Sequence, residues 1–440
     1  MTRFLALLTA ALLLALPARA EVKIEEVVSP GGITAWLVQE PSIPFTALEI
    51  RFRGGASLDR AGKRGAINLM TGLLEEGAGD LDARAFARAQ EALAASFGYS
   101  VRDDSLAISA RFLTENRPEA IALLRASIMQ PRFDQDAIDR VREQVITGIR
   151  SDAVDPDEIA VRTWRSMAFG SHPYGSSLSG TLESVAALTR DDLLAAHGDV
   201  LARDRMYVGA VGDITPEALG ALLDDLLGGL PETGAPMPKE ATVAITGGIT
   251  VVPFDVPQSV AVFGHAGIQQ DDPDFFAARV LNQVLGGGGF QSRLTQEVRV
   301  ERGLTYGVYS FLVPRDLAAT YQGQVASAND RIGEAIDVIR AEWARAAAEG
   351  VTEKELEDAK TFMTGSYPLQ FDGNAPIARI MVGMQMLGLP IDYIPTRNER
   401  VEAVTMEDVK RVAGYLLDPQ SLHFVVVGQP EGLETGPLPN

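Results

Sequence analysis

The residues able to do chemistry are few and widely spread. The 440 residues hold four histidines, His172, His197, His265 and His423, and no cysteine. The shortest gap between two histidines is 25 residues, so no helix can present two imidazoles to a metal on one face. The lack of Cys removes thiolate zinc sites, thiol nucleophiles and disulfides together. No Gly-x-Ser-x-Gly elbow, phosphate loop or dinucleotide fingerprint occurs. Gly286-Gly287-Gly288-Gly289 invites a phosphate-cradle reading, but no Lys or helix-opening Ser/Thr follows in register. A flexible turn at a helix end accounts for it better.

Two local patterns carry more information. A helix is predicted over Gly65–Glu75, with Ala66, Ile67, Leu69, Met70, Leu73 and Leu74 covering most of its circumference. The remaining positions, Asn68, Thr71, Gly72 and Glu75, fall at i, i+3, i+4 and i+7, a single narrow stripe. Such a stripe faces either a cleft or a closely packed backbone, and the spacing alone does not separate the two. The second pattern is Arg299-Val300-Glu301-Arg302-Gly303-Leu304-Thr305-Tyr306. A helix expected over Ser292–Val300 ends there, Gly303 turns the chain, and an alternating strand is expected from Leu304. Arg299 and Tyr306 could then point the same way, a donor pair suited to a carbonyl or oxyanion. Taken alone, an Arg at a helix end and a Tyr in a strand are both routine.

The elements that must position these residues occur twice in the same order. A strand at Thr46–Phe52, the helix after it, a strand at Leu106–Phe112, and helices at Glu119–Met129 and Asp134–Ile149 make one set. Its closing strand is Met206–Val211 with Gly212. The second set is Ser259–Gly264, Pro273–Leu285 with Asp272 as its expected N-cap, Thr320–Val325, Glu334–Ala346, Glu353–Gly365, and Leu422–Val427 with Gly428. The offset stays near roughly 215 residues throughout. Between the sets, the Gly- and Pro-rich run from Gly228 to Pro238 reads as a linker. The expected layout is a leader at 1–20, a first domain at 21–227, a linker at 228–245 and a second domain at 246–440. The fold class is α+β, two similar domains of about 200 residues, each a mostly antiparallel sheet packed by helices, facing each other across a chamber.

Composition narrows the function. With 46% hydrophobic and 22% charged residues, the chain has ample apolar surface for a core. A net charge of −20 speaks against nucleic acid and anionic membranes as partners. Met1-Thr2-Arg3, an apolar run from Phe4 to Pro17, and Ala18-Arg19-Ala20 have the layout of a cleaved secretory signal peptide. The apolar run is short of the ~20 residues a membrane span requires. Removal of the leader takes Arg3 and Arg19 with it and leaves −22. An exported, acidic, cysteine-free chain suits the periplasm.

His172-Pro173-Tyr174-Gly175 with Gly180, Leu188-Thr189-Arg190-Asp191-Asp192-Leu193, and Val211-Gly212-Asp213 resemble the pitrilysin/insulinase family of zinc metallopeptidases, in its bacterial two-domain branch. So do Leu285 to Gly288, Ser292-Arg293-Leu294, Arg302 to Tyr306, Leu387 to Pro390 and Val404 to Val409. In that family a His-x-x-Glu-His helix binds zinc and activates its water. The matching positions here are Asn68, Thr71 and Gly72, and the distal Glu ligand would fall near Thr147-Gly148. The resemblance therefore implies a companion subunit lacking the zinc motif, with no metal bound by this chain. It also implies that Arg299 and Tyr306 are the family's substrate-contacting pair. The expected function is the non-catalytic subunit of a periplasmic heterodimeric peptidase. Zinc would reside in a homologous partner subunit, and peptides or unfolded polypeptides would be the substrate. The alternative is a non-enzymatic peptide-binding or structural scaffold of the same fold.

Overall fold

Alternating strands with both faces apolar demand cover on both sides, and the architecture meets that demand by exchange between the halves. The computed structural model describes residues 23–433; the expected leader, Met1 to Ala20, lies outside them. The strands of the first half are β1 (Glu25–Val28), β2 (Thr34–Gln39), β3 (Phe45–Arg53), the two-residue pair β4 (Gly77–Ala78) and β5 (Leu81–Asp82), β6 (Ser96–Val101), β7 (Ser105–Leu113) and β8 (Met206–Gly212). Its helices are α1 (Ala66–Gly72), α2 (Ala83–Ala92), α3 (Arg117–Met129), α4 (Gln135–Asp152), α5 (Pro156–Phe169), α6 (Leu182–Ala186), α7 (Arg190–Val200) and α8 (Pro216–Leu227). The second half has β9 (Gly248–Pro253), β10 (Gln258–Ala266), β11 (Val308–Arg315), β12 (Ala318–Ala328) and β13 (His423–Gly428). Its helices are α9 (Phe275–Leu285), α10 (Ile332–Glu349), α11 (Glu353–Gly365), α12 (Asn374–Met386), α13 (Tyr393–Glu402) and α14 (Met406–Leu416). Residues 228–247 between the halves carry no helix or strand.

The two sheets have one plan. The first runs β1-β2-β8-β3-β7-β6 and the second β11-β12-β10-β13-β9. Each is antiparallel except for one pair, β2 with β8 and β9 with β13, at corresponding places. The chain is thus α+β, with two mixed, antiparallel-rich sheets.

Within each half, most helices cover one face of its own sheet. Leu37, Leu48, Ile50 and Phe52 pack with Ile67, Leu124 and Leu223; Phe263, Phe424 and Val426 pack with Leu281, Ile339 and Val412. The opposite faces are covered by exchange. α5 leaves the first half to lie on β10 and β13, where Ile159, Ala160, Trp164 and Ala168 meet Val262, Val425 and Val427. α12 leaves the second half to lie on β3 and β8, where Ala378, Met381 and Met384 meet Trp36 and Val211. The unbroken run Val425-Val426-Val427 follows from this, since successive side chains point to opposite, buried faces. Glycine makes room for each visitor. A Cβ on Gly209 would lie 2.9 Å from the Ala378 carbonyl oxygen, and one on Gly264 would lie 3.1 Å from Trp164 Cζ2.

The halves are joined where two equivalent hairpin turns meet, Arg102–Asp104 between β6 and β7 and Arg315–Leu317 between β11 and β12. Arg315 approaches Asp103 at 3.2 Å, and Arg165 of α5 reaches the same carboxylate at 2.9 Å. Tyr174 donates its hydroxyl proton to Asp104 and accepts the Leu317 amide at 3.1 Å. The Arg315 guanidinium lies 4.9 Å from the Tyr174 ring centroid. Burial raises the Asp104 carboxyl and lowers the Arg315 guanidinium from their ordinary values, the expected cost of dehydrating charges. His172-Pro173-Tyr174-Gly175 is therefore a structural hub. The family resemblance marked this segment without giving it a task.

Several boundaries differ from expectation. The helix expected over Gly65–Glu75 ends at Gly72, because Leu73 and Leu74 bond back to Met70 and Thr71 in a tighter turn. The helix expected from Pro273 starts at Phe275, with Asp274 rather than Asp272 as N-cap; Asp272 instead accepts the Asp274 amide at 2.8 Å. The strand expected from Leu304 begins at Val308. Before it, Thr305 folds the chain back by accepting the Gly307 amide and donating to the Ala326 carbonyl. The expected helix Ser292–Val300 is largely a π-helical turn over Thr295–Val300, widened where the Glu301 amide reaches the Gln296 carbonyl.

All four histidines serve the scaffold. His172 Nδ1 accepts the Tyr174 amide, and His423 bridges the Thr246 carbonyl and Thr250 Oγ1. His197 Nε2 meets the Ile128 carbonyl at 2.7 Å. His265 donates from Nδ1 to the Ala266 carbonyl and accepts the Trp343 indole N–H at Nε2, which defines a neutral tautomer.

Two outcomes are expected. Tyr174→Phe keeps the ring stack but leaves Asp104 Oδ1 and the Leu317 amide without their partner, and should cost about 1–3 kcal/mol in urea denaturation; a loss below about 0.5 kcal/mol would show that the turns are held by other means. Burial lowers the pKa values of His197 and His265 below the ordinary 6.5. The unfolded chain therefore takes up protons first, and stability must fall as pH drops below 6.5. Melting curves from pH 7 to 5.5 should show this slope, and it should flatten in the His197→Gln/His265→Gln double variant.

Candidate functional site

The first half of the candidate site is α1. Asp59 fixes its start by accepting the Gly65 amide at 2.8 Å and the Ile67 amide at 2.9 Å, and Gly65 itself takes a left-handed φ of 95°. Arg64 ties the same corner to the hub through the Pro173 carbonyl at 3.0 Å. The metal-position residues are then well defined. Thr71 is buried and donates its hydroxyl to the Ile67 carbonyl at 2.7 Å, so it serves its own helix. Gly72 faces α4 closely enough that a Cβ would lie 3.2 Å from Val141 Cγ1. Asn68 is half-buried, and Thr147 and Gly148 are exposed on α4.

An amide, a spent hydroxyl and a glycine do not fit a zinc ion, which takes imidazole, thiolate or carboxylate. Among the described residues no group of three His, Asp or Glu is gathered closely enough to hold a metal. Glu75, just past the helix, keeps an exposed carboxyl, raised from its ordinary value by partial desolvation and by Glu76.

The second half of the candidate site lies between α9 and β11. Arg299, in the π-helical turn, holds its guanidinium 4.9 Å from the centroid of Phe290, a ring that is 66% exposed. Tyr306 stands 87% exposed on the loop before β11. No hydrogen bond among the described residues engages its hydroxyl. Arg299 itself is half-buried, and no hydrogen bond or cation–π contact joins it to Tyr306. The expected common direction is not realised as a contact, because the strand that was to carry Tyr306 begins two residues beyond it.

Phe290 went unnoticed in the sequence. Its signal is position, the first large side chain after four glycines. Gly288 and Gly289 adopt positive φ of 101° and 85°, so the tetraglycine is a turn that delivers Phe290 to Arg299. Beneath it lies a cavity of about 280 Å³ lined by Gln283, Val284, Phe290, Ser292, Glu355 and Phe362. Glu355 is already committed to Arg293, at 2.7 Å, which holds its carboxyl at about 2.

Comparison with known proteins follows the same outline. Residues 187–363, from the end of the first half to α11, match the model described as the peptidase M16 inactive domain. The Helicobacter pylori protein named non-peptidase homolog YmxG is 27% identical over 88% of this chain and 89% of its own length. A crystal structure of the peptidase M16 inactive domain from Pseudomonas fluorescens aligns with a TM-score of 0.87 and 28% identity, covering 95% of this chain and all of that one. A chain of complex III2 from Candida albicans shares the fold, with a TM-score of 0.77 at 15% identity over 94% of this chain and 97% of that one. An α1 whose residues do not fit zinc, the repeated two-sheet plan and these relatives point one way: the chain is similar to the M16 (pitrilysin/insulinase) peptidase family, and to members described as inactive.

Proposed function

We propose that this chain is the substrate-contacting, non-catalytic subunit of a heterodimeric peptidase, exported to the periplasm by its N-terminal leader. The zinc-bearing partner is a homologue that supplies the metal and the general base. This chain supplies Arg299, which anchors the substrate, and Tyr306, which donates a hydrogen bond to the peptide carbonyl oxygen as it gains negative charge. Phe290 keeps the guanidinium in place from below.

The observation that carries the reading is Tyr306, a phenol 87% exposed and free of any internal hydrogen bond among the described residues. A large aromatic side chain held out in water by a structured loop is costly unless something covers it. The spent positions of α1 explain why the covering molecule must bring its own metal.

The test is cleavage of a fluorogenic peptide library by the leader-free chain, alone and mixed with a zinc-bearing homologue from the same cell. No cleavage alone and chelator-sensitive cleavage in the mixture are expected. Tyr306→Phe in the mixture should lower kcat by about 10²–10³ with little change in KM, the loss typical of one oxyanion donor. Arg299→Ala should raise KM as well. Chelator-sensitive cleavage by this chain alone would overturn the assignment. A mixture no more active than the homologue by itself would favour a scaffold role.

A further inference from the structure

A second concentration of donors sits at the joint where the chain leaves α11 and crosses to the first sheet as α12. Arg397 of α13 is only 3% exposed. Its guanidinium lies 4.5 Å from the Tyr367 ring centroid, and Nη1 donates to the Met363 carbonyl at 2.8 Å and to Asn398 Oδ1 at 2.9 Å. No carboxylate pairs with it among the described residues. Arg279, half-buried on α9, is close enough for its charge to act on both Arg397 and Tyr367, and it too has no ion pair or hydrogen bond among the described residues. Arg400, exposed on the same helix as Arg397, lies 5.4 Å from the Tyr393 ring centroid, again without an acidic partner.

Two further donors in this joint are unpaired. Tyr367 Oη and Asn374 Nδ2 are buried with no hydrogen-bond partner among the described residues, in residues 9% and 8% exposed. Asn374 is also the first residue of α12, whose N-terminus has no side-chain cap and no acid in its first turn. The positive end of a 13-residue helix dipole is thereby added to the arginines. Burial pushes the Tyr367 hydroxyl up to about 12, so it keeps its proton and stays a donor. Asp372 and Asp392 are near in sequence but exposed, and neither pairs with these arginines.

Buried donors without acceptors are uncommon in folded proteins, and each calls for a partner. Uncompensated guanidiniums at one joint of a chain with net charge −20 are the more notable, since carboxylates are in surplus. We propose that the joint between α9, Tyr367, the start of α12 and α13 binds a small oxyanion, a carboxylate or a phosphate. Arg279, half-buried, and Arg400, exposed, are the members that solvent reaches, and Arg397 is the buried one. Forked guanidinium donors suit two-oxygen ligands of this kind. The site lies outside the peptidase reading and stands or falls without it.

Isothermal titration of the leader-free full chain, at constant ionic strength set with NaCl, tests the proposal. One arm uses inorganic phosphate, and the other a short peptide with a free C-terminal carboxylate against its C-terminal amide. Saturable binding is expected in at least one arm. Phosphate alone would identify a free anion as the ligand, and the free-acid peptide alone would identify a chain terminus. Arg279→Met, at a half-buried position with no hydrogen bond or ion pair among the described residues, should weaken binding by about tenfold or more while leaving the circular dichroism spectrum unchanged. Arg400→Met should act in the same direction. Absence of saturable heat in both arms, or unchanged affinity in Arg279→Met, would overturn the proposal.

Discussion

Everything else in the structure depends on the meeting of two hairpin turns. Asp103 and Asp104 on one side and Arg315 on the other are dehydrated charges. Such charges are tolerated only when each is answered by an opposite charge or a donor in the right place. Arg165 answers Asp103, and the Tyr174 hydroxyl and the Asp316 amide answer Asp104. Because Arg165 belongs to α5 and Tyr174 to the segment after it, the contact also fixes how α5 leaves the first half and lands on the second sheet. Arg53 of β3 forms an ion pair with Asp316 at 3.1 Å, and donates to the carbonyl of Met386 at the end of α12. One polar contact thereby anchors both exchanged helices.

That arrangement separates scaffold from chemistry. α1 keeps everything needed to be a helix at its place, from the Asp59 cap to the apolar faces of Ile67, Leu69 and Met70. The positions that the family resemblance assigns to a metal have other uses. Thr71 bonds its own backbone, and Gly72 allows α4 to come close. Losing a metal from a site framed by packed helices leaves the fold intact, because the core holds the helices and the ligands only exploit their geometry. Phe290 and Tyr306 are the reverse case, exposed side chains that add little to the core.

Much of this was legible in the sequence because hydrophobic periodicity reports local structure directly. α11 is observed over Glu353–Gly365, the range its pattern predicts, and the order of strands and helices recurs in both halves as read. The starts of α9 and β11 were misplaced for a local reason: Asp272 and Thr305 use side chains to bond nearby amides, which delays the regular element by two to four residues. The helix exchange was not legible at all. Ile159, Trp164 and Ala168 announce an amphipathic helix, but amphipathicity does not state which sheet the apolar face will meet. The turn contact was hidden for a similar reason. Asp103 and Arg315 stand at equivalent points of the repeat, yet a repeat gives correspondence and not proximity. In the candidate site the residue types at Asn68, Thr71, Gly72, Arg299 and Tyr306 were plain, whereas the lack of contact between the last two required coordinates.

The exchanged helices bear on how such a chain is made and where it came from. During synthesis the first sheet emerges with one face bare and waits for α12, more than 150 residues after β8. Its folding is coupled to the completion of the whole chain, a feature that lengthens exposure of apolar strands. The same geometry read backwards describes a single repeat offering its crossover helix to a second copy and receiving that copy's helix in return. Two identical repeats related in this way are a domain-swapped dimer. Residues 228–247, without helix or strand, then stand where a covalent tether between the two copies would run, and one chain leaves each half free to carry different residues at equivalent places.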